Sequence, residues 1–197
     1  MSDGEDVSAP AIDAPVPGRE CGDCGLCCKL LAIAELSKPE NRWCGYFKAG
    51  KGCSTYAERP SSCRTFFCGW RRAANLGDEW RPNRARMMLY TDEKGSRLFV
   101  HVDPGFPGAW LEQPYYAQLK RWSSAVKDGR QVIVRIRDRM IVILPNRDID
   151  LGVVASGDTV RTFQVMTVRG VEYSAEKIAK TAETSPDAAA AASAPTA

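Results

Sequence analysis

The chain has 197 residues, of which 44% are hydrophobic and 26% charged, and its formal net charge is +3. These values are typical of one globular domain with tails, long enough to bury a core without depending on bound metal alone. No apolar run approaches the roughly 20 residues of a membrane-spanning helix, so no membrane is predicted as a partner.

The two ends of the chain differ from its middle. Residues 1–18 hold four acidic side chains and residues 181–197 hold two, and neither segment has a Lys or Arg. We predict a disordered leader over residues 1–18 and a disordered Ala-rich tail over residues 181–197, because both are poor in large apolar residues. The N-terminus has neither the basic nor the apolar region of a secretory signal, so a cytoplasmic location is expected.

The middle of the chain is basic, since residues 19–180 contain all 27 basic but only 18 of the 24 acidic side chains. Such an excess attracts nucleic acid or an acidic protein, or it balances the negative charge of thiolates. No recognition-helix or RNP pattern accompanies the charge. The sequence therefore favours charge balance, nucleic acid is not predicted as a partner, and any protein partner stays unidentified.

The chain divides between the tails into two parts. Residues 19–77 form a cysteine-cluster region, in which residues 29–36 are predicted to be extended and a helix is predicted from Pro60 to about Ala74. Residues 78–180 form an α+β part packed on it. Its predicted elements are a hairpin of residues 86–91 and 97–102, an amphipathic helix over 113–128, a hairpin of 131–137 and 139–144, and strands near 159–167 and 171–173. The predicted fold class is α+β, with a cysteine-rich, metal-organised loop and helix part on a small antiparallel sheet with one or two helices.

All eight cysteines fall within residues 21–68, and we predict that all of them are metal ligands. They are Cys21, Cys24, Cys27, Cys28, Cys44, Cys53, Cys63 and Cys68. In a reducing compartment such a pattern indicates metal binding rather than disulfides. Thiolates are soft ligands that select zinc, copper(I) or iron–sulfur clusters, and eight of them suit two four-thiolate centres or one centre with cysteines to spare.

Two spacings argue against a single simple site. The side chains of the neighbours Cys27 and Cys28 point about 100° apart on a helix, or to opposite faces of a strand. We therefore expect one of them to serve a different centre, to bridge two metals or to pack inward. Cys63 and Cys68 likewise lie on different faces if their segment is one regular helix.

The other candidate residues give weaker signals. The one histidine, His101, is expected at the rim of a strand rather than in a metal or acid–base site. Arg59 and Arg64 either pair with thiolates or a bound anion, or lie on a solvated helix face. Neither a Gly-rich phosphate loop nor a GxSxG elbow is present, so no nucleotide site or catalytic residue is predicted.

Several cysteine motifs together resemble a known family. CxxCxxCC over residues 21–28, Trp43-Cys44, Gly52-Cys53 and the RPSSCRTFFC segment over residues 59–68 resemble the YkgJ-like, zinc- or iron-chelating cysteine-cluster family. The resemblance covers residues 19–72 and implies a bacterial metal-binding protein, with zinc or iron as alternatives. It assigns no reaction. A related cluster occurs in the larger flagellin lysine methylases, whose activity is not transferred to this chain because it shows no methyl-donor motif.

The sequence thus leads to one main hypothesis and two alternatives. The main hypothesis is a cytoplasmic protein whose cysteines bind zinc or iron, the iron either alone or in an iron–sulfur cluster. The first alternative is an iron–sulfur enzyme for redox or protein-modification chemistry. The second is an interaction module in which zinc shapes a basic surface. Whether the protein is an enzyme stays open at this point.

Overall fold

The computed structural model describes residues 15–168 and 170–180. The predicted tail over 181–197, and residues 1–14 of the predicted leader, lie outside the described residues. The α-helices are α1 (Leu26–Leu30), α2 (Ser61–Thr65), α3 (Gly69–Arg72), α4 (Pro82–Ala85) and α5 (Tyr115–Ser123). Short 3-10 turns span Ala34–Leu36, Asp78–Trp80, Ala109–Leu111 and Ser124–Asp128. The strands are β1 (Phe47–Lys48), β2 (Gly52–Cys53), β3 (Met87–Thr91), β4 (Arg97–Val102), β5 (Gln131–Ile136), β6 (Arg139–Ile143), β7 (Asp148–Val153), β8 (Thr159–Thr167) and β9 (Gly170–Ile178).

A five-stranded sheet forms the centre of the fold, and the α+β class is confirmed. Its strand order is β3-β4-β5-β6-β7, and every neighbouring pair is antiparallel except β4–β5, which is parallel. The sequence analysis expected antiparallel pairs alone. A parallel pair needs a long crossover, and the segment between β4 and β5 supplies one, because it contains helix α5.

Helix α5 covers one face of this sheet and completes the main core. Val100 and Val134 from the sheet are fully buried, and they belong to the same apolar cluster as Leu119 and Trp122 from α5. Helix α5 continues into the 3-10 turn Ser124–Asp128, which ends at Gly129 with φ +76°, a left-handed conformation that glycine adopts without strain. The predicted helix over residues 113–128 is confirmed in outline.

The opposite face of the sheet supports the cysteine region. Leu26 and Leu30 of α1 are buried against Met88 of β3. The neighbouring part of this face packs against the two-stranded ribbon β8–β9, through contacts that include Val142 and Val160. The cysteines of α1 are therefore held over β3, at one edge of the sheet.

The predicted hairpins and ribbon strands are confirmed, whereas two predictions in the cysteine region are wrong. The stretch predicted to be extended over residues 29–36 begins inside helix α1 and contains the 3-10 turn Ala34–Leu36. The single helix predicted from Pro60 to Ala74 is interrupted, because Phe66 has extended backbone dihedrals between α2 and α3. Among the described residues, no helix is both long enough and apolar enough to cross a membrane.

Candidate metal centre

The first four cysteines lie on a tight turn followed by a short helix. The N–H of Cys24 donates to the carbonyl of Cys21 at 2.8 Å, which closes the turn. Cys27 and Cys28 follow on α1, whose buried residues Leu26 and Leu30 anchor it to the sheet. The apolar side of α1 thus fixes where its two thiols can lie.

Cys44 and Cys53 are brought to this turn by backbone contacts. The N–H of Cys44 donates to the carbonyl of Cys28 at 3.0 Å. Gly52, in the small hairpin β1–β2, lies so close to the turn that a Cβ at this position would be 2.1 Å from the Gly22 carbonyl oxygen. With φ at +82°, position 52 requires glycine for two independent reasons. This close approach places the neighbouring Cys53 beside the first cysteines.

Cys63 and Cys68 are separated by the break between α2 and α3. Helix α2 is tied to the 3-10 turn Ala34–Leu36, because the Ser62 N–H and hydroxyl donate to the Glu35 carboxylate at 3.0 and 2.8 Å. Cys68 lies directly before α3 and packs against the main core, while Cys63 lies within α2. The break lets both residues face the cluster, which one regular helix would not allow.

The eight thiols line two adjoining cavities. The larger cavity has a volume of about 370 Å³, and seven cysteines border it: Cys21, Cys24, Cys27, Cys28, Cys44, Cys53 and Cys63. The smaller has a volume of about 30 Å³ and is bordered by Cys21, Cys24, Cys27 and Cys68. The remaining walls are largely apolar and include Ile33 and Phe66. All eight cysteines predicted as ligands are therefore brought to one place in the fold.

The thiols are not arranged around an ion in this structure. All eight cysteines are free of disulfide bonds. Across residues 15–168 and 170–180, no three or more His, Cys, Asp or Glu side chains form a group that could hold a metal ion as placed. Closing the thiols around an ion therefore requires their side chains to move inward.

Burial and mutual contact shift the pKa values of the thiols. Burial raises the pKa of Cys24 and Cys63 and raises that of Cys68 to about 11. A hydrogen bond between the thiols of Cys27 and Cys28, aided by burial, raises the pKa of Cys27 well above its usual range. The same bond lowers the pKa of Cys28 to about 7. A bound cation would favour the thiolate form of all of them.

Positively charged side chains surround the cluster. The Nη1 of Arg71 donates to the Sγ of Cys21 at 3.4 Å. Arg81 donates to the Cys21 carbonyl at 3.2 Å and pairs with Asp23 at 2.7 Å. The ammonium group of the buried Lys38 donates to three backbone carbonyls, and its charge acts on Cys28 and Cys44. These contacts are what charge balance of thiolates would require.

The structure places the other candidate residues differently from the sequence analysis. His101 was expected at a strand rim but is fully buried in β4, and it borders neither of the two cavities. Arg59 borders the larger cavity and donates to the carbonyls of Cys63 and Tyr56, whereas Arg64 is exposed. The sequence analysis did not single out Lys38, because a lone lysine before Pro39 belongs to no motif, and its isolated antiparallel bridge to Ile33 leaves no local sequence signal.

The comparisons with known proteins add no relative. No protein-family profile matches the chain, and no match was found among curated proteins or among solved structures. The resemblance to the YkgJ-like family therefore depends on the motif residues alone.

Proposed function

We propose that this protein binds zinc or iron through its eight cysteines, the iron either alone or in an iron–sulfur cluster. The observation that supports this most strongly is the convergence of all eight thiols, from five separate segments, on two adjoining cavities. Small buried cysteines that served only as hydrophobes would not need to meet in this way.

The donor set fits a soft metal centre. The available ligands are thiols, which bind zinc and iron–sulfur clusters in preference to magnesium or calcium. Arg71, Arg81 and Lys38 lie where they offset the negative charge of thiolates bound to a metal. The metal would supply cross-linking of the loops or, if it is an iron–sulfur centre, electron transfer.

The proposal includes a bacterial origin, a cytoplasmic location and membership of the YkgJ-like family. A reducing cytoplasm keeps the thiols available for metal, in agreement with the eight free cysteines. Internal hydrogen bonds and ion pairs already occupy Arg19, Arg71 and Arg81, so the proposal assigns them to the cysteine region rather than to a nucleic-acid surface.

The size of the larger cavity favours an enzyme as a second candidate. At about 370 Å³ it falls in the range of small-molecule sites, roughly 300–1,000 Å³, and exceeds what one ion needs. Its walls combine thiols with apolar side chains. A reversible redox change coupled to conversion of a bound small molecule would support this candidate, whereas silent, tightly bound zinc would argue against it.

Purification without oxygen, followed by metal analysis and a visible spectrum, tests the main proposal. We expect stoichiometric metal that decreases in Cys24→Ser and Cys63→Ser but not in Ser54→Ala, a matched control whose exposed hydroxyl contacts the Tyr46 carbonyl. A visible absorption band would identify an iron–sulfur centre, and colourless zinc-loaded protein a zinc site. Folded wild-type protein without metal would refute the proposal.

A further inference from the structure

Strands β8 and β9 form a two-stranded ribbon with one open edge. They pair over nine residues in continuous register. Strand β9 lies on the side of β7, because the side chain of Lys177 donates to the Val153 carbonyl at 2.7 Å. Within the described part of the chain, β8 has no strand neighbour except β9. The outer edge of β8 therefore presents backbone groups that no other strand pairs.

The ribbon carries apolar side chains beyond the part that packs on the central sheet. Val160 and Ala175 are buried near its base, where Arg97 donates to the Val160 carbonyl at 3.3 Å. On the same face, nearer the tip, Met166 is 78% exposed and the directly opposite Val171 is 52% exposed. The face that is buried at one end of the ribbon is thus exposed at the other.

The edge strand lacks the features that usually keep exposed strands apart. Residues 162–167 include no charged residue, no Pro and no Gly. The charge of the preceding Arg161 is offset by its ion pair with Glu176 on β9. Natural proteins protect edge strands with charges, prolines or bulges. The edge therefore favours an uncharged partner strand with apolar side chains, since a strongly charged one would find no opposite charge along it.

Strand β8 itself fits this description when two copies meet in antiparallel orientation. If Gln164 lies opposite Gln164 of the second copy, Phe163 lies opposite Val165 and Thr162 opposite Met166, and each pair occurs twice. The Phe163 and Val165 side chains of both copies then meet on one face. Arg161 comes opposite the uncharged residue 167, so no two like charges face each other over residues 161–167.

We propose that the outer edge of β8 is the interface of a symmetric dimer, in which two ribbons join into one four-stranded antiparallel sheet. The occupant of the edge is a second copy of this chain, because the sequence of β8 is complementary to itself in side-chain character and in charge. Both copies use the same surface, as a twofold axis requires. No cysteine lies in β8 or β9, so this inference goes beyond the proposed function and does not depend on metal binding.

Sedimentation velocity of the full-length chain, kept reduced so that no intermolecular disulfide forms, tests the proposal. We expect a concentration-dependent equilibrium between monomer and dimer. Gln164→Lys and Gln164→Glu each place two like charges opposite each other at the twofold axis, so each variant alone should dimerise about tenfold more weakly. An equimolar mixture of the two variants should recover the dimer, because Lys then faces Glu. Val153→Lys, a control at an exposed position on β7, should behave like the wild type.

Hydrogen exchange locates the interface in the wild-type chain and needs no substitution. The backbone amides of residues 162–166 should exchange more slowly at high protein concentration than at low concentration. A wild-type chain that stays monomeric at every concentration would overturn the proposal and leave the edge to a strand of another protein. A dimer that neither Gln164 variant weakens would also overturn it, as would weakened variants whose mixture does not recover the dimer. Circular dichroism verifies that each variant is folded.

Discussion

His101 allows a quantitative test of the fold, because its imidazole ring is buried without a hydrogen bond from the described residues to either nitrogen. Its side chain is fully buried in β4, and neither ring nitrogen has a hydrogen-bond partner among the described residues. Its ring centroid lies 6.2 Å from that of Tyr90, and Arg135 faces it across the parallel pair β4–β5. Burial, with a smaller effect from the charge of Arg135, lowers the pKa of His101 from 6.5 to about 4. The imidazole is therefore neutral in the folded protein at neutral pH.

This shift predicts that stability falls in mild acid. Between pH 6.5 and about 4 the unfolded chain binds a proton at this residue and the folded chain does not. The free energy of unfolding therefore decreases as pH falls through this window. The full shift corresponds to about 3 kcal/mol, of which about 2 kcal/mol is lost by pH 5.

The variant His101→Leu removes the titrating group without breaking a hydrogen bond, because neither ring nitrogen of His101 has a partner among the described residues. Urea unfolding of both proteins is followed by tryptophan fluorescence at pH 7.5 and pH 5, so that all other titrating groups cancel in the comparison. From pH 7.5 to pH 5, we expect the free energy of unfolding to fall by about 2 kcal/mol less in the variant than in the wild type. An equal pH dependence for both proteins would show that His101 accepts its proton in the folded state and would refute this reasoning.

Three further substitutions test individual contacts. Gly52→Ala places a Cβ against the Gly22 carbonyl oxygen at a positive φ, so we expect a loss of about 1–3 kcal/mol in chemical unfolding and a lower metal content. Arg19 donates to four backbone carbonyls around the end of α3, and the lysine of Arg19→Lys lacks the planar guanidinium that makes these contacts. We expect thermal unfolding to show that the free energy of unfolding falls by about 1–3 kcal/mol. An unchanged unfolding midpoint would contradict this. Lys29→Met leaves the buried carboxylate of Asp103 without its 2.5 Å ion pair, which we expect to lower the free energy of unfolding by about 2–3 kcal/mol. In a double-mutant cycle, Lys29→Met should cost less stability in the Asp103→Asn background than in the wild type.

The elements that the sequence predicts well are those with long, regular patterns. The alternating runs that became β5 and β6 and the helical spacing of α5 each extend over enough residues to define a period. Strand β7 was missed, because its burial does not alternate and Gly152 adopts a positive φ within it.

The elements that the sequence misplaces are short and depend on tertiary contacts. Helix α1 has five residues, fewer than a period can reveal, and it is held by Leu26 and Leu30 against the sheet. No Gly or Pro is adjacent to Phe66, so no local sequence signal predicts the break between α2 and α3. His101 was expected at a rim because a polar residue in a strand usually reaches solvent, whereas α1 and its neighbours cover this face of the sheet.

In the cysteine region, too, the sequence pattern predicts some features, whereas others depend on tertiary contacts. The sequence identified all eight thiols as one group, since they are confined to residues 21–68. It also indicated that Cys27 and Cys28 differ in direction, which depends on helix geometry alone. Which thiols share a cavity depends on the approach of Gly52 to Gly22 and on the break before Cys68, and neither is encoded in a local pattern.

X-ray absorption at the zinc or iron edge of the protein purified without oxygen measures the central claim most directly, because it reports both the metal and its nearest ligands. For zinc we expect a first shell made only of sulfur, with about four atoms per metal at about 2.3 Å. For iron we expect a sulfur shell as well, with an additional iron neighbour if a cluster is present. A first shell of nitrogen and oxygen, or folded protein without either metal, would contradict the account.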